Sequence, residues 1–392
     1  MKMIVSFEVK KNIYWVGTID PAKKVFDLVI DSPYGTTYNS YLILDEKRVL
    51  IDTTEEKLAK EWLEKIENVI PAEEINYVVI NHVEPDHSAG LKLLLEKNPN
   101  VTVIATPQAK ILLKEVVNRD FNFMPAKDGM ELKIGKRTLK FIQMPFWHWP
   151  ETMMTYLVED KILFPCDGFG SNYFEESFFY SKIQQKETYW REFWKYFRFV
   201  LAPFRKFIIQ GLEKLKGLEI EMIAPSHGVI IDTREGIEKA FEVYEEFLKK
   251  PRNKIIIAYA SAHGNVEKIA KAIHEEIGGE LLDLAYASRE EVLEKIDSAK
   301  AIFFGAPTLN GMTAPQTLEA MILLGLTPDW RGKRIALFGS YGWSGEGIPL
   351  LEEVAKKMRL KLYQPSFRVK FAPSEEEIEK AKKWARAFIE TP

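Results

Sequence analysis

Asn81-His82-Val83-Glu84-Pro85-Asp86-His87, set directly behind the apolar run Tyr77-Val78-Val79-Ile80, decides how the first half of this chain is read. In an extended segment residues two apart point the same way, so His82, Glu84 and Asp86 converge while His87 turns to the adjoining side. One loop thus offers four groups able to bind a metal. Three more candidates stand in turn-like settings after apolar runs: His148 in PFWHWP, Asp167 in FPCDGFG and His227 in APSHG. Only His263 and His274 fall outside the set. Singly, each of the three is more often an ordinary hydrogen-bonded side chain; beside a four-group loop, they predict a metal site. Four imidazoles and three carboxylates without a thiolate suit iron or manganese, and ligand type alone still permits zinc. Two divalent ions against three carboxylates leave one positive charge, which a hydroxide neutralises.

Outward from this loop, residues Ile4 to about Asp160 are dominated by short β-rich runs, among them IYWVGTI, FDLVI, VLIDT, VTVIA and LKFIQM, with Gly, Pro, Asn and Asp in the turns. Helical patterns interrupt at 55–67, 89–96 and 108–117, which predicts a mixed α/β sandwich with helices on its outer faces. An aromatic-rich insert follows at 173–207, then the strand EMIAP and a helix over 233–250. Tyr189, Trp190, Phe193, Trp194, Tyr196 and Phe197 of the insert read first as core, with a gas-accessible pocket as the alternative. Tyr196 is also a candidate proton or hydrogen-bond donor near the metals.

After the polar run KKPRN the pattern becomes regular strand–helix alternation, five of each, which suits a doubly wound parallel sheet. The domain break is expected near 251–253, giving domains over 1–250 and 254–392. The first strand of the second domain runs into Ser261-Ala262-His263-Gly264-Asn265-Val266 and a helix, a turn whose N–H groups and helix dipole suit a phosphate. Two further strand ends carry Pro307-Thr308-Leu309-Asn310-Gly311 and Ser340-Tyr341-Gly342-Trp343-Ser344-Gly345. Ligands of open α/β sheets bind outside the carboxyl ends of strands at the switch point, where these loops belong. No Gly-x-Gly-x-x-Gly follows a strand, which argues against direct NAD binding.

Composition narrows the partners. With 392 residues and a net charge of −3, there is room for two domains and no surplus of Lys and Arg to neutralise nucleic-acid phosphates. A single cysteine, Cys166, excludes an intrachain disulfide, a Cys-x-x-Cys pair and a cysteine-rich metal site, and fits a reducing cytoplasm. The N-terminus does not read as a signal peptide. The most apolar stretch, 197–212, is broken by Arg198, Arg205 and Lys206, so no membrane span is expected.

The metal loop resembles that of the metallo-β-lactamase superfamily, His-x-His-x-Asp-His, with the later His, Asp and His completing a two-metal site. Glu84 stands where the zinc hydrolases usually have a second histidine, and this departure resembles the flavodiiron proteins. All three loops of the second half resemble the FMN loops of flavodoxins, so the likeness covers nearly the whole chain in the flavodiiron domain order. It implies an N-terminal metallo-β-lactamase-like αββα sandwich followed by a flavodoxin-like five-stranded parallel sheet. It implies further that His82, Glu84 and His148 bind one iron, that Asp86, His87 and His227 bind the other, and that Asp167 bridges. The first flavin loop would hold the FMN phosphate and the other two the isoalloxazine, with Trp343 stacking and His263 a flavin neighbour. Val266 replaces a threonine common in flavodoxins and removes a hydroxyl donor to the phosphate.

The implied activity is reduction of dioxygen to water, of nitric oxide to nitrous oxide, or of both. Four electrons are needed for dioxygen, two from a diferrous centre and two from reduced flavin. The implied assembly is a head-to-tail homodimer, with a tetramer as its extension, that sets the flavin of one chain beside the iron of the other. Without a Cys-x-x-Cys pair there is no fused rubredoxin in this sequence, so a separate rubredoxin-like donor is expected. Two other readings compete: a zinc hydrolase with an appended flavodoxin module, and a non-catalytic electron-transfer flavoprotein. Metal analysis separates the first from the reductase, and gas consumption the second.

Overall fold

The computed structural model describes residues 5–391. The chain divides into two compact units, Met1–Leu248 and Lys249–Pro392.

In the first unit two sheets pack face to face. One has seven strands in the order Phe7–Lys10, Ile13–Trp15, Tyr41–Leu44, Arg48–Ile51, Tyr77–Val79, Thr102–Ala105 and Asn122–Pro125. The other has five: Glu131–Lys133, Thr138–Gln143, Met153–Leu157, Ile162–Phe164 and Met222–Ile223. Side chains alternate across a strand. Ile43, Val49, Ile51 and Ile104 thus meet Leu139, Phe141, Met153 and Phe164 between the sheets. From the opposite face of the first sheet, Leu42, Leu50, Val78 and Val103 pack on outer helices. Helix Ala59–Glu67 turns Trp62, Leu63 and Ile66 inward, the three-to-four spacing of one helical face. Helix Pro107–Val117 starts cleanly because Thr106 accepts from Ala109 N (3.2 Å) and Pro107 lacks the N–H that would go unbonded there.

The aromatic insert becomes the helices Lys186–Val200 and Arg205–Leu215, which cover the second sheet. Tyr189, Trp190, Phe193, Tyr196 and Phe197 are all buried there, so this stripe is mainly core; only Trp194 faces outward. The run FDLVI differs from the single strand expected. It splits into Val25–Phe26 and Ile30–Asp31 because Asp27 and Leu28 take left-handed φ of 47° and 62°, making a tight hairpin tip.

In the second unit the sheet order is Glu280–Asp283, Lys254–Tyr259, Ala299–Leu309, Arg334–Tyr341 and Lys361–Leu362, all parallel. Counted along the chain this is 2-1-3-4-5, the flavodoxin-like order with its switch point between the first and third strands. The last strand is shorter than the run KLYQPSF suggests: Phe367–Lys370 resumes pairing on Arg334–Tyr341 after the break at Gln364-Pro365. Helix Asn265–Ile277 places Val266, Ile269, Ala270 and Ile273 on the sheet. The terminal helix Glu375–Glu390 opens on a Ser374/Glu377 capping box and buries Ala381, Ala385 and Phe388.

Candidate functional site

Every candidate metal ligand follows the carboxyl end of a strand of the first unit: the His82 loop after Tyr77–Val79, His148 after Thr138–Gln143, Asp167 after Ile162–Phe164 and His227 after Met222–Ile223. All seven gather in two groups. His82, Glu84, His148 and Asp167 form one, and Asp86, His87 and His227 the other. The loop is not extended throughout, as the two-residue alternation supposed. Pro85–Ser88 is a helical turn closed by His87 N donating to Glu84 O (2.9 Å), with Pro85 at its first position. The turn sends Asp86 and His87 away from His82 and Glu84.

Asp167 sits at the centre. Its Oδ2 lies 2.8 Å from His148 Nε2 and 3.7 Å from His82 Nε2, and its Oδ1 lies 3.2 Å from the Nε2 atoms of both His87 and His227. Glu84 Oε2 is 3.2 Å from His82 Nε2 and 3.5 Å from His148 Nε2. Asp86 completes the second group, 3.4 Å from His87 Nε2 and 3.4 Å from His227 Nε2. All four rings thus turn the same nitrogen inward. Two are held from behind, His82 by Nδ1 donating to Glu151 Oε1 (2.8 Å) and His227 by Nδ1 donating to the Thr37 carbonyl (2.6 Å). A donor bond at Nδ1 leaves the Nε2 lone pair free for a metal.

Electrostatics point the same way. Burial works against a charged ring at His82, yet Glu151 and Glu84 outweigh it and raise its pKa to about 9; at His227 Asp167 and Asp86 do the same, again to about 9. Burial likewise opposes ionisation of Asp86, but His87 and His227 bring it down to about 2, and the surrounding imidazoles hold Asp167 well below the carboxylate range. Protons on the rings here compensate buried carboxylates, the task a bound cation performs. Among the described residues Asp86 Oδ1, both nitrogens of His87 and His227 Nε2 make no hydrogen bond although buried. Such orphans are costly unless something binds them. A donor set of imidazole and carboxylate, with unused inward atoms, therefore fits two irons. Cys166 also lies beside His87 and Asp167, but burial pushes its thiol well above the ordinary range and keeps it protonated.

Several supporting residues carried no spacing signal in the sequence. Asp52, at the end of Arg48–Ile51, accepts from Asn81 N (2.7 Å), Asn81 Nδ2 (2.9 Å) and Ser226 Oγ (3.4 Å), the neighbours of His82 and His227. Tyr196, the candidate donor, lends its buried hydroxyl to Asp167 Oδ1 at 2.7 Å. Phe26 sets its ring edge-on to His227, with centroids 5.0 Å apart.

In the second unit a cleft of about 260 Å³ opens at the carboxyl ends of the strands. It is lined by Ser261, Ala262, His263, Asn265, Val266, Pro307, Thr308, Leu309, Asn310, Ser340, Tyr341, Gly342 and Trp343. Three candidates, Gly264, Gly311 and Gly345, do not line it. With φ of 79°, 73° and 79° they shape the loops instead. Gly264 caps the 13-residue helix Asn265–Ile277, whose first residues, Asn265 and Val266, line the cleft, so that this end fits a phosphate; Glu267 N is already taken by Ser261 Oγ (3.2 Å). Val266 lines the cleft yet is itself core, 1% exposed. Phe371 is the lining residue the loops did not announce; it follows the strand Phe367–Lys370 and faces Gly342.

A metal-bearing sandwich followed by a phosphate-binding doubly wound sheet defines the class, and comparison with known proteins gives the family. The ODP family beta lactamase model matches residues 36–228 and the flavodoxin model residues 257–384. The flavo-diiron protein FprA2 of Clostridium acetobutylicum is 36% identical, covering 98% of this chain and 99% of its own. A nitric oxide reductase of Moorella thermoacetica is 33% identical over 94% of each chain. Among solved structures, rubredoxin oxygen:oxidoreductase from Desulfovibrio gigas superposes with a TM-score of 0.77 at 29% identity, over 98% of both chains. The chain belongs to the flavodiiron protein family, and its cofactors are FMN and a diiron centre.

Proposed function

We propose that this protein is an oxidoreductase that reduces dioxygen to water, nitric oxide to nitrous oxide, or both, taking electrons through FMN from a rubredoxin-like donor. Residues 1–250 form its diiron domain and 254–392 its FMN domain. His82, Glu84 and His148 would hold one iron, Asp86, His87 and His227 the other, with Asp167 placed between the two groups. The observation that carries this is the convergence of four imidazole Nε2 atoms on three carboxylates, with Asp167 buried at the centre and orphaned polar atoms among them. When bound, the two irons would supply two electrons and a Lewis-acidic centre for a small diatomic gas. The chain's own part is to keep the site in apolar surroundings and to fix the hydrogen bonding of Asp167. Tyr196 keeps a hydroxyl proton on Asp167 Oδ1. Phe26 shields the His227 side.

The FMN is held by the Ser261–Val266 turn at its phosphate, with the 307–311 and 340–345 loops around the ring system. Trp343, Phe371 and Met312 are 80%, 62% and 52% exposed. An apolar collar of this kind supports a second chain covering the flavin, as in a head-to-tail homodimer. Names of hydrolases do not occur among the three relatives above; theirs are those of flavodiiron and reductase proteins. Among the described residues no helix is long and apolar enough to cross a membrane.

Asp167→Ala tests the assignment. It removes the one carboxylate shared by both groups, so iron content falls and gas consumption drops at least about 100-fold, on the scale of a lost catalytic metal interaction. FMN content and flavin reduction stay as in the wild type. Undiminished gas consumption with little iron bound would place the chemistry at the flavin and refute the reading.

A further inference from the structure

Glu151 lies three residues beyond His148 and plays no part in the set of seven. It is 1% exposed. Its Oε1 accepts from His82 Nδ1 (2.8 Å) and from Val83 N (3.1 Å), while its backbone carbonyl accepts from Thr106 Oγ1 (2.9 Å). Its Oε2 has no hydrogen-bond partner among the described residues although buried. Retaining a carboxylate in such a place costs desolvation that only a strong interaction offsets, and the interaction available is the imidazole of His82.

The two rings of the other group are backed differently. His227 Nδ1 meets a neutral carbonyl, that of Thr37, and His87 Nδ1 has no hydrogen-bond partner among the described residues. Among those residues Glu151 is the only carboxylate in ion-pair range of an Nδ1 in the cluster. A carboxylate behind an imidazole draws its N–H proton and makes the far nitrogen a stronger donor, whereas a carbonyl does so less. His148 belongs to the same group as His82, and its turn is joined to Glu151 through Trp149, whose ring stands edge-on to His82 at 5.1 Å. One carboxylate therefore fixes the tautomer of His82, the start of the metal loop and the end of the His148 turn.

We infer that Glu151 is a positioning residue that makes the two irons unequal, binding the iron of the His82–Glu84–His148 group more tightly and favouring its ferric form. The inference rests on the diiron reading and goes beyond it by assigning an asymmetry to a residue outside the ligand set.

Glu151→Gln keeps an acceptor oxygen and removes the charge, and Glu151→Asp keeps the charge. Each protein is loaded anaerobically with ⁵⁷Fe and titrated with a ferrous chelator, reading iron per chain, Mössbauer spectrum and iron midpoint potentials. In E151Q one iron leaves at about 10- to 100-fold lower chelator concentration, the scale of a lost outer hydrogen-bond partner. The second iron holds, one quadrupole doublet of two changes, and one midpoint rises; E151D moves all three back toward wild type. Equal weakening of both irons, or no weakening, overturns the inference. Should E151Q not fold, the wild-type spectrum still decides, since a single doublet for both irons overturns it. A wild-type protein that binds fewer than two irons per chain instead overturns the diiron reading itself.

Discussion

Among the described residues Asp167 receives a hydrogen bond from one hydroxyl, that of Tyr196, and the bond is fully buried. Burial and the surrounding carboxylates push that phenol well above its ordinary range, so it stays protonated across the working pH and can only donate. Tyr196→Phe leaves the ring in the core and removes the donor. Gas turnover is expected to fall about 10-fold or more, with iron content unchanged, in keeping with a hydrogen bond to a charged group of about 1.5–3 kcal/mol. Stopped-flow consumption by the reduced variant checks it, and unaltered turnover would show that the hydroxyl only fills space. Residues of this kind divide into those the sequence announces and those it hides. His82, His148, Asp167 and His227 were legible because chemistry-bearing side chains at strand ends are uncommon. Glu151, Asp52 and Thr37 were not. Each acts through a partner remote in sequence, 69 residues away for Glu151 with His82 and 190 for Thr37 with His227.

Among elements, the turn that presents His148 shows how backbone strain is stabilised. Phe146 and His148 both take left-handed φ, 61° and 60°, a strain of about 1–3 kcal/mol each. Between them Trp147 plugs into the core, its Nε1 donating to Phe207 O (3.2 Å) on helix Arg205–Leu215. Close approach there requires Gly211, since an added Cβ would stand 2.1 Å from Trp147 Nε1. Gly211→Ala is therefore expected to cost about 1–3 kcal/mol by overpacking, and to loosen iron binding through His148. Thermal unfolding and iron content measure the two effects; a variant as stable as wild type would contradict the packing described. The same elements mark where periodicity stops being informative. The parallel alternation of the second unit was plain, because each strand is followed by an amphipathic helix. The hairpin at Asp27 and Leu28 was not, because its left-handed residues are not glycine. Nor was the helical turn Pro85–Ser88, four residues being too few to show a period.

Over the whole molecule the claim is that two units, one holding metal and one holding flavin, carry a single reaction. Each unit was foreseen as a fold, since seven candidate ligands in the first and three candidate flavin loops in the second fall on strand ends, where sheets of this kind bind ligands. The direct test is to reduce the purified protein anaerobically, mix it with dioxygen and separately with nitric oxide, and follow gas, flavin and iron together. Two irons and one FMN per chain are expected, both oxidised in step with consumption of the gas, with little peroxide. If the iron stays ferrous while the flavin alone is oxidised and peroxide accumulates, the diiron centre is not where the gas is reduced and the account is wrong.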